Sequence, residues 1–411
     1  MKAKYRRLSE LGTIVTGATP PKTHPEWYAK TGMPFLTPSD MAPRTRRIRT
    51  SRFLSTEGVE GLVSRTLPSG TTAIVCIGSL GKICQVNEPT ISNQQINSFT
   101  PFESELDATF AYYALIEIAE YLPQIATGST LPIVNGTLFG AQKIRVPSLN
   151  EQRAIAATLG ALDDKIESNT RIRQYSLELC RSRFFQLFGN FGSGNSAQEF
   201  ITLNDVGNIV GGGTPSKKEP TYYTDEGIGW LTPKDLSKSS NMFQQHGEID
   251  ITPIGLAKSS AQLLPSGTVL FTSRAPIGYL AIALGETTTN QGFKSIVPNR
   301  EYGTPFTFFL IEQLTPIIQA HAGGSTFKEI SKTGLGRIIL TKPKLDQVAE
   351  FNQFAEAYLE RIESTEREFN QLVQLRDVLL PELLSGRIRV RDAKDTVQDA
   401  VDSELPEVNH E

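Results

Sequence analysis

The chain states one awkward phrase twice. "IVTGATPPK" begins at Ile14 and "IVGGGTPSK" begins at Ile209, 195 positions later. Leu11 to Met41 aligns without a gap on Val206 to Leu236, and 14 of those 31 positions are identical, Gly12, Lys22, Pro25, Tyr28, Gly32 and Asp40 among them. "LPSGT" recurs from Leu67 and Leu264, Gly81 falls on Gly278, and Asn93-Gln94 falls on Asn290-Gln291. Gly128-Ser129-Thr130 returns as Gly324-Ser325-Thr326, Pro147 as Pro343, and Ile166-Glu167-Ser168 as Ile362-Glu363-Ser364. An offset of 195 to 197 held along nearly the whole chain is far beyond the roughly 20–50 residues of a solenoid repeat. The chain is a tandem pair of similar units.

Each unit has two parts. The first is rich in glycine, proline and short β-branched runs. "TTAIVCI" from Thr71 and "TVLFT" from Thr268 follow Pro-Ser-Gly turns and read as strands. One helical insert, from Ala108, matches another from Phe306. The second part is helical: Glu151 to Phe188 holds no proline and one glycine, Gly160. Ile155, Leu159, Leu162 and Ile166 alternate by four and three, the spacing of a narrow helix–helix seam. Phe351, Ala355, Tyr358 and Ile362 repeat it, and Phe369, Leu372, Leu379 and Leu383 extend it. A helix with one apolar stripe must cover it, and the two equivalent helices are each other's obvious partners. An antiparallel pair is the expected arrangement, in preference to each helix packing on its own domain.

The fold class expected is therefore α+β, with two mixed, strand-rich domains in a tandem pseudo-repeat joined by two long antiparallel coiled-coil helices. The boundaries run 1–150 for the first domain, 151–190 for the first helix and 191–200 for a linker. The second domain spans 201–345, its helix 346–386, and 387–411 is a tail. The linker, "GNFGSGNSAQE", reads as flexible. From Asp392 the tail carries seven acidic residues against one lysine, a composition that reads as disordered.

The chemistry of catalysis is missing. Four scattered histidines form no zinc pattern, and neither a phosphate-binding GxxxxGK[ST] loop nor a GxSxG elbow occurs. Asp40 and Asp235 each close a Thr-Pro-x-Asp turn, where a carboxylate makes local hydrogen bonds. Three cysteines without CxxC spacing fit a reducing compartment, and no signal peptide or bilayer-length apolar segment occurs, so a cytoplasmic protein is expected. Two similar domains without catalytic groups suit binding two similar things at a set distance. Net charge is only −3, so any polyanion must be met by local patches. One such patch is Arg44, Arg46, Arg47, Arg49 and Arg52, whose guanidiniums suit phosphates and the guanine edge. The comparable residues of the second copy are Lys217, Lys218, Lys234, Lys238 and Arg274. The Asn-Gln pairs recur unchanged, which favours a shared structural turn over base reading. Residues that read sequence should differ between the copies, as Arg44–Arg52, Ile77–Leu80 and Gly292–Lys294 do. Tyr112-Tyr113 and Phe308-Phe309 read as helix core.

With these residues in view, the chain resembles the specificity subunit of type I restriction–modification enzymes over essentially its full length. The resemblance rests on "LGTIVTGATPPK…PFLTPSD", "VGNIVGGGTPSK…GWLTPKD", "VPSLNEQRAIAATLGALDDKIE" and "LLPELLSGRIRV". It departs where "PSLNEQRAI" becomes "PKLDQVAEF" and the Glu-Gln pair is lost. The resemblance implies two target recognition domains, each reading half of an asymmetric bipartite site in double-stranded DNA. It implies that Thr19, Lys22, Thr214 and Lys217 lie near the DNA backbone. The DNA-binding candidates are these four with Arg44, Arg46, Arg47, Arg49, Ser79, Gln95, Lys218, Lys234, Arg274 and Lys294. No catalytic or metal-binding residue and no resident cofactor is expected. The implied partners are two methyltransferase subunits using S-adenosylmethionine to modify adenine, and restriction/translocase subunits using ATP and magnesium. The alternative from another class is a coiled-coil adaptor displaying two protein- or glycan-binding domains.

Overall fold

The computed structural model describes residues 4–41, 46–128, 131–189, 199–274, 276–323 and 328–402. Of the linker expected at 191–200, residues 191–198 lie outside them, and Phe200 already belongs to a strand, Phe200–Thr202. Among the described residues, the helices longer than ten residues are α1 (Ala108–Ile125), α2 (Leu149–Phe188), α3 (Gly303–His321), α4 (Leu345–Ser385) and α5 (Val390–Asp402). The chain divides into two compact units. One is Met1–Glu167 with Gln371–Ser403, and the other contains Ser168–Asn370. Each unit therefore holds one mixed domain, the N-terminal half of one long helix and the C-terminal half of the other.

In the first unit, an antiparallel sheet runs in the order Gly12–Thr16, Ile96–Pro101, Thr72–Val75, Ile83–Gln85. Its Thr-Ala-Ile-Val strand is buried on both faces, as a β-branched run in the middle of a sheet should be. Helix α1 covers the sheet. The Asp107 side chain caps it by accepting from the N–H groups of Thr109 and Phe110, and Phe110, Tyr112, Tyr113 and Leu115 are buried. A second sheet pairs Met33–Leu36 with Thr90–Ser92 in parallel. The second unit repeats the plan: Gly207–Gly211, Lys294–Pro298, Val269–Phe271 and Leu280–Ala283 in the same order, with Phe243–Gln244 added at the edge. Gly229–Leu231 pairs in parallel with Thr287–Thr289. Helix α3 takes the place of α1, with Phe306, Phe308 and Phe309 buried. The duplication read from the sequence is a duplication of fold.

The long helices pair antiparallel within each unit. In the first, Arg145, just before α2, donates to Leu384 O at 3.1 Å, and Asp163 meets Arg376 at 2.9 Å. In the second, Asn169 donates to Glu368, Arg173 meets Glu366 and Phe184 packs on Phe351. The helices also join the cores of their domains. Ile155, Leu159 and Leu162 share one cluster with Phe110, Tyr113, Leu372, Leu379 and Leu383. Phe351, Ala355 and Ile362 share another with Cys180, Phe184, Phe306 and Phe309. The two arrangements weighed for the helices are both realised. Two seam positions differ from expectation: Leu359 is buried where Tyr358 is only partly so, and Glu368 is buried where Phe369 is only partly so.

The tail is a correction. Residues 390–402 form α5, and Ala393 and Val397 are buried in the first unit's core with Ile388 and Val390 packed beside them. Acidic groups cover the outer face while the small apolar residues, spaced for one side of a helix, reach the core.

Candidate nucleic-acid interface

The repeated phrase is built where two turns touch. A Cβ on Gly17 would sit 2.1 Å from Asn93 O and 2.3 Å from Ser92 O, and one on Gly212 would sit 2.0 Å from Asn290 O and 2.4 Å from Thr289 O. Only a hydrogen fits between these backbones. Gly17 N donates to Ile96 O and Ala18 N to Ser92 O, while Gly213 N donates to Thr289 O. Thr19 then hydrogen-bonds Gln94, and Thr214 hydrogen-bonds Gln291. The Asn side chains brace their own turns: Asn93 Oδ1 accepts from Gln95 N (3.1 Å) and Asn290 Oδ1 from Gly292 N (2.8 Å). The Asn-Gln pairs are thus structural residues. So are the aspartates. Asp40 accepts from Thr37 and Ser51, and Asp235 from Thr232 and Glu248 N, closing each Thr-Pro-x-Asp turn. Although partial burial raises its pKa, those donors hold the Asp40 carboxyl below its usual range.

On this shared frame the two domains differ in chemistry at matching backbone positions. Cys76 N donates to Gln95 O in the first domain, and Ser273 N to Gly292 O in the second. Ile77 bridges Ile133 in one, and Arg274 bridges Glu329 in the other. Asn97, which accepts from Thr16 Oγ1 at 2.7 Å, is replaced by Lys294. In the first domain Asn97 is buried and also donates to Val134 O at 3.0 Å, while Ile77, Ile133 and Gln95 are half-buried, Gln95 Nε2 donates to Ile77 O at 3.4 Å and Ser79 is exposed. In the second, Glu329 stands 3.7 Å from Arg274 and 3.6 Å from Lys294, and Lys294 also reaches Ser273 Oγ at 3.4 Å. Gly292 replaces Gln95, and a Cβ there would meet Pro233 Cγ at 2.8 Å and Asn290 Oδ1 at 2.9 Å.

These contacts bring Thr19, Ser79 and Gln95 into one neighbourhood, and Thr214, Arg274 and Lys294 into the equivalent one. Lys22, Lys217 and Lys218 are exposed on the loops that follow the phrase. Lys234 and Lys238 share the Glu248 carboxylate at 2.9 and 3.0 Å, and hydrogen bonds from the two ammoniums lower Glu248 to about 2.

The arginine segment is not one patch. Arg46 is withdrawn from the surface: its Nη2 lies 2.5 Å from Asp164 on α2, and its Nη1 donates to the buried Tyr113 hydroxyl at 3.3 Å. Arg47 lies 3.1 Å from Asp164 and 3.7 Å from Glu167. Both tie the domain to the helix, so the DNA-facing reading of Arg46 is corrected. A sequence cannot show whether a guanidinium meets phosphate or a carboxylate 118 residues away. Arg49 and Arg52 are exposed, and Arg44 lies outside the described residues. The second unit anchors the matching loop differently, through Glu366, which accepts from Met242 N (2.7 Å) and Phe243 N (3.1 Å). The Glu-Gln pair of the first helix is also used internally. Glu151 meets Arg145, while Gln152 accepts from Asp107 N and donates to Glu105 O and Pro147 O. Its counterpart is Asn352, one turn further into α4, which accepts from Phe306 N and donates to Tyr302 O.

Among the described residues no group of three or more His, Cys, Asp or Glu could hold a metal ion, and no helix is long and apolar enough to cross a membrane. The model of the family described as type I restriction modification DNA specificity domain matches the sequence twice, over residues 2–175 and 195–374. The chain belongs to this family. The family's two matched segments are the two copies of the fold. Among curated relatives, the chain is 30% identical over 206 residues to the type I restriction enzyme MjaIX specificity subunit of Methanocaldococcus jannaschii. That match covers 50% of the chain and 48% of the relative, so it spans about half of the relative's length. The HindI specificity subunit of Haemophilus influenzae is 21% identical over 356 residues, covering 68% of the chain and 77% of the relative. The crystal structure of a type I restriction–modification S subunit from M. genitalium superposes with a TM-score of 0.63 at 18% identity, covering 93% of the chain and 96% of that subunit. That likeness is one of fold.

Proposed function

We propose that the chain is the sequence-specific DNA-binding subunit of a type I restriction–modification complex. Each domain reads one half of an asymmetric bipartite site and directs partner subunits to methylate adenine or to cleave. The observation that carries the reading is the pair of equivalent neighbourhoods: one frame, with Ile77, Ile133, Asn97 and Gln95 exchanged for Arg274, Glu329, Lys294 and Gly292. A frame kept while its contents change suits two different half-sites. Base edges discriminate by side-chain chemistry, whereas phosphates ask the same positioning contact of both domains. Thr19, Lys22, Thr214 and Lys217 supply that positioning. Ser79, Gln95, Arg274 and Lys294 face the bases, with Arg49, Lys218 and Lys234 around them.

Chemistry then belongs to partners in the cytoplasm. Two methyltransferase subunits supply S-adenosylmethionine and the pocket for a flipped adenine, and restriction subunits supply ATP- and magnesium-dependent translocation. The test is to reconstitute the chain with its methyltransferase subunit and sequence the methylated sites. Exchanging residues 1–150 for the same region of a related protein changes one half of the motif only. A change in both halves, methyl transfer by the chain alone, or duplex binding that does not weaken with salt refutes the reading.

A further inference from the structure

The two helix seams are equivalent in backbone but opposite in chemistry at one place. In the first unit, Asp163 Oδ1 accepts from Arg376 Nη1 at 2.9 Å and Asp163 Oδ2 accepts from the Tyr113 hydroxyl at 2.6 Å. The side chains of Asp163 and Arg376 are 7% and 6% exposed. Arg376 also donates to Asp377, and Arg46 to the Tyr113 hydroxyl. At the 196-residue offset that carries Ile166 onto Ile362, Tyr113 becomes Phe309, Asp163 becomes Leu359, and Arg376 corresponds to Cys180. Those three are buried together in the core of the second unit. A charged triad in one seam is thus an apolar triad in the other.

The duplication makes this difference consequential. The N-terminal half of either helix has the geometry to receive the C-terminal half of either helix, including one from a second copy of the chain. If two copies paired their first helices, Asp163 would face Cys180 and lose its guanidinium. If they paired their second helices, Arg376 would face Leu359. Either pairing takes from a buried charge its partner across the seam, leaving Asp163 the Tyr113 hydroxyl and Arg376 its neighbour Asp377, and breaking such a pair costs more than an apolar mismatch. Only the pairing of unlike helices satisfies both. A single buried polar contact is an established way to select the partner and register of a helix pair.

We propose that the Asp163–Arg376 pair, braced by Tyr113, is a pairing selector that excludes like-with-like association between copies of this chain. The seam of the second unit has other polar contacts, Asn169 with Glu368 and Arg173 with Glu366, and an apolar contact at the position equivalent to this pair. The pair gives up some stability for discrimination, because well-packed hydrophobic residues in its place are often at least as stable.

The test uses the full chain. In the Asp163→Leu/Arg376→Leu variant both pairings become apolar at this position, so sedimentation velocity over a concentration series should show self-association at least about tenfold tighter than wild type, the equivalent of about 1.4 kcal/mol. The pairing is identified covalently in a second variant, Asp163→Cys/Arg376→Leu. Positions 163 and 180 lie about 26 Å apart along one helix at 1.5 Å per residue, so they cannot join within a chain. Between copies paired like with like they are neighbours, and oxidation should give a disulfide-linked dimer that Cys180→Ser abolishes. If the leucine variant fails to fold, Asp163→Asn/Arg376→Gln removes the charge and keeps polar side chains that can hydrogen-bond each other, and is read by the same criterion. Self-association no tighter than wild type in a folded variant, or no dimer linked through Cys180, overturns the proposal.

Discussion

Gly17→Ala is the sharpest test of the frame. The new Cβ would lie 2.1 Å from Asn93 O, 2.3 Å from Ser92 O and 2.5 Å from Ser92 Oγ, where ordinary contact begins near 3.4 Å. The two turns must separate by about an ångström. Overpacking of this kind costs about 1–3 kcal/mol. The hydrogen bonds from Gly17 N to Ile96 O (3.0 Å) and Ala18 N to Ser92 O (2.8 Å) lie in the gap that opens. Losing them adds about 1 kcal/mol each. The lower entropy of an unfolded chain with alanine returns about 0.4–1 kcal/mol. A net loss of about 2–4 kcal/mol follows, and at about 2–4 °C per kcal/mol for a unit of this size the melting temperature falls by about 5–15 °C. Differential scanning calorimetry of the variant reads that fall. Methylome sequencing reads its consequence, a weakened or relaxed first half-site beside an intact second. Gly212→Ala, with its Cβ 2.0 Å from Asn290 O, should do the converse. A melting temperature within 1–2 °C of wild type, which that conversion equates with less than about 1 kcal/mol, refutes the argument from close approach. Equal damage to both halves by either variant refutes the independence of the two frames.

Lys22→Ala and Lys217→Ala should each weaken binding across all sequences and reduce the slope of log affinity against log salt by about 1, read by fluorescence anisotropy. Loss of selectivity without a change in slope would place these lysines on bases. Burial raises the thiols of Cys76 to about 11 and Cys180 to about 12. Above the ordinary thiol value of ~8.5 the unfolded chain ionises first. Stability should therefore fall by up to about 1.4 kcal/mol per pH unit for each thiol. That loss runs from about pH 9 toward 11 to 12, while native thiols stay unreactive to iodoacetamide at pH 8. Rapid native alkylation would contradict their burial. Inserting four residues within Thr170–Leu179 adds about 6 Å of helix and should change the number of unspecified bases in the methylated motif. The bases read should not change; an unaltered gap would show that the helices do not set the spacing.

The parts of this molecule legible in sequence are those with local causes. Repeated glycines mark a close approach, Thr-Pro-x-Asp marks a capped turn, and the four-three spacing of Ile155, Leu159 and Leu162 marks a seam. What stayed illegible depends on partners distant in the chain. Arg46 looked like a phosphate ligand because nothing near it in sequence reveals Asp164 and Tyr113. Arg274 and Lys294 were chosen as cations, but the carboxylate between them comes from Glu329. The tail was misread for a different reason. Val390, Ala393, Val397 and Val401 are spaced for one face of a helix, and the acidic composition around them hid that signal.

The exchange of helix halves sets an unusual order of completion during synthesis. Residues 168–370 form the second unit and can close as soon as they emerge, whereas the first unit waits for Gln371–Ser403. The domain made first is thus finished last. At about 5–20 residues per second the wait is on the order of 10–50 s. Through that interval Ile155, Leu159 and Leu162 lack Leu372, Leu379 and Leu383, the residues that complete their core. A ribosome that stops shortly after Asn370 would release a chain with one sound domain and one open seam, a natural substrate for quality control.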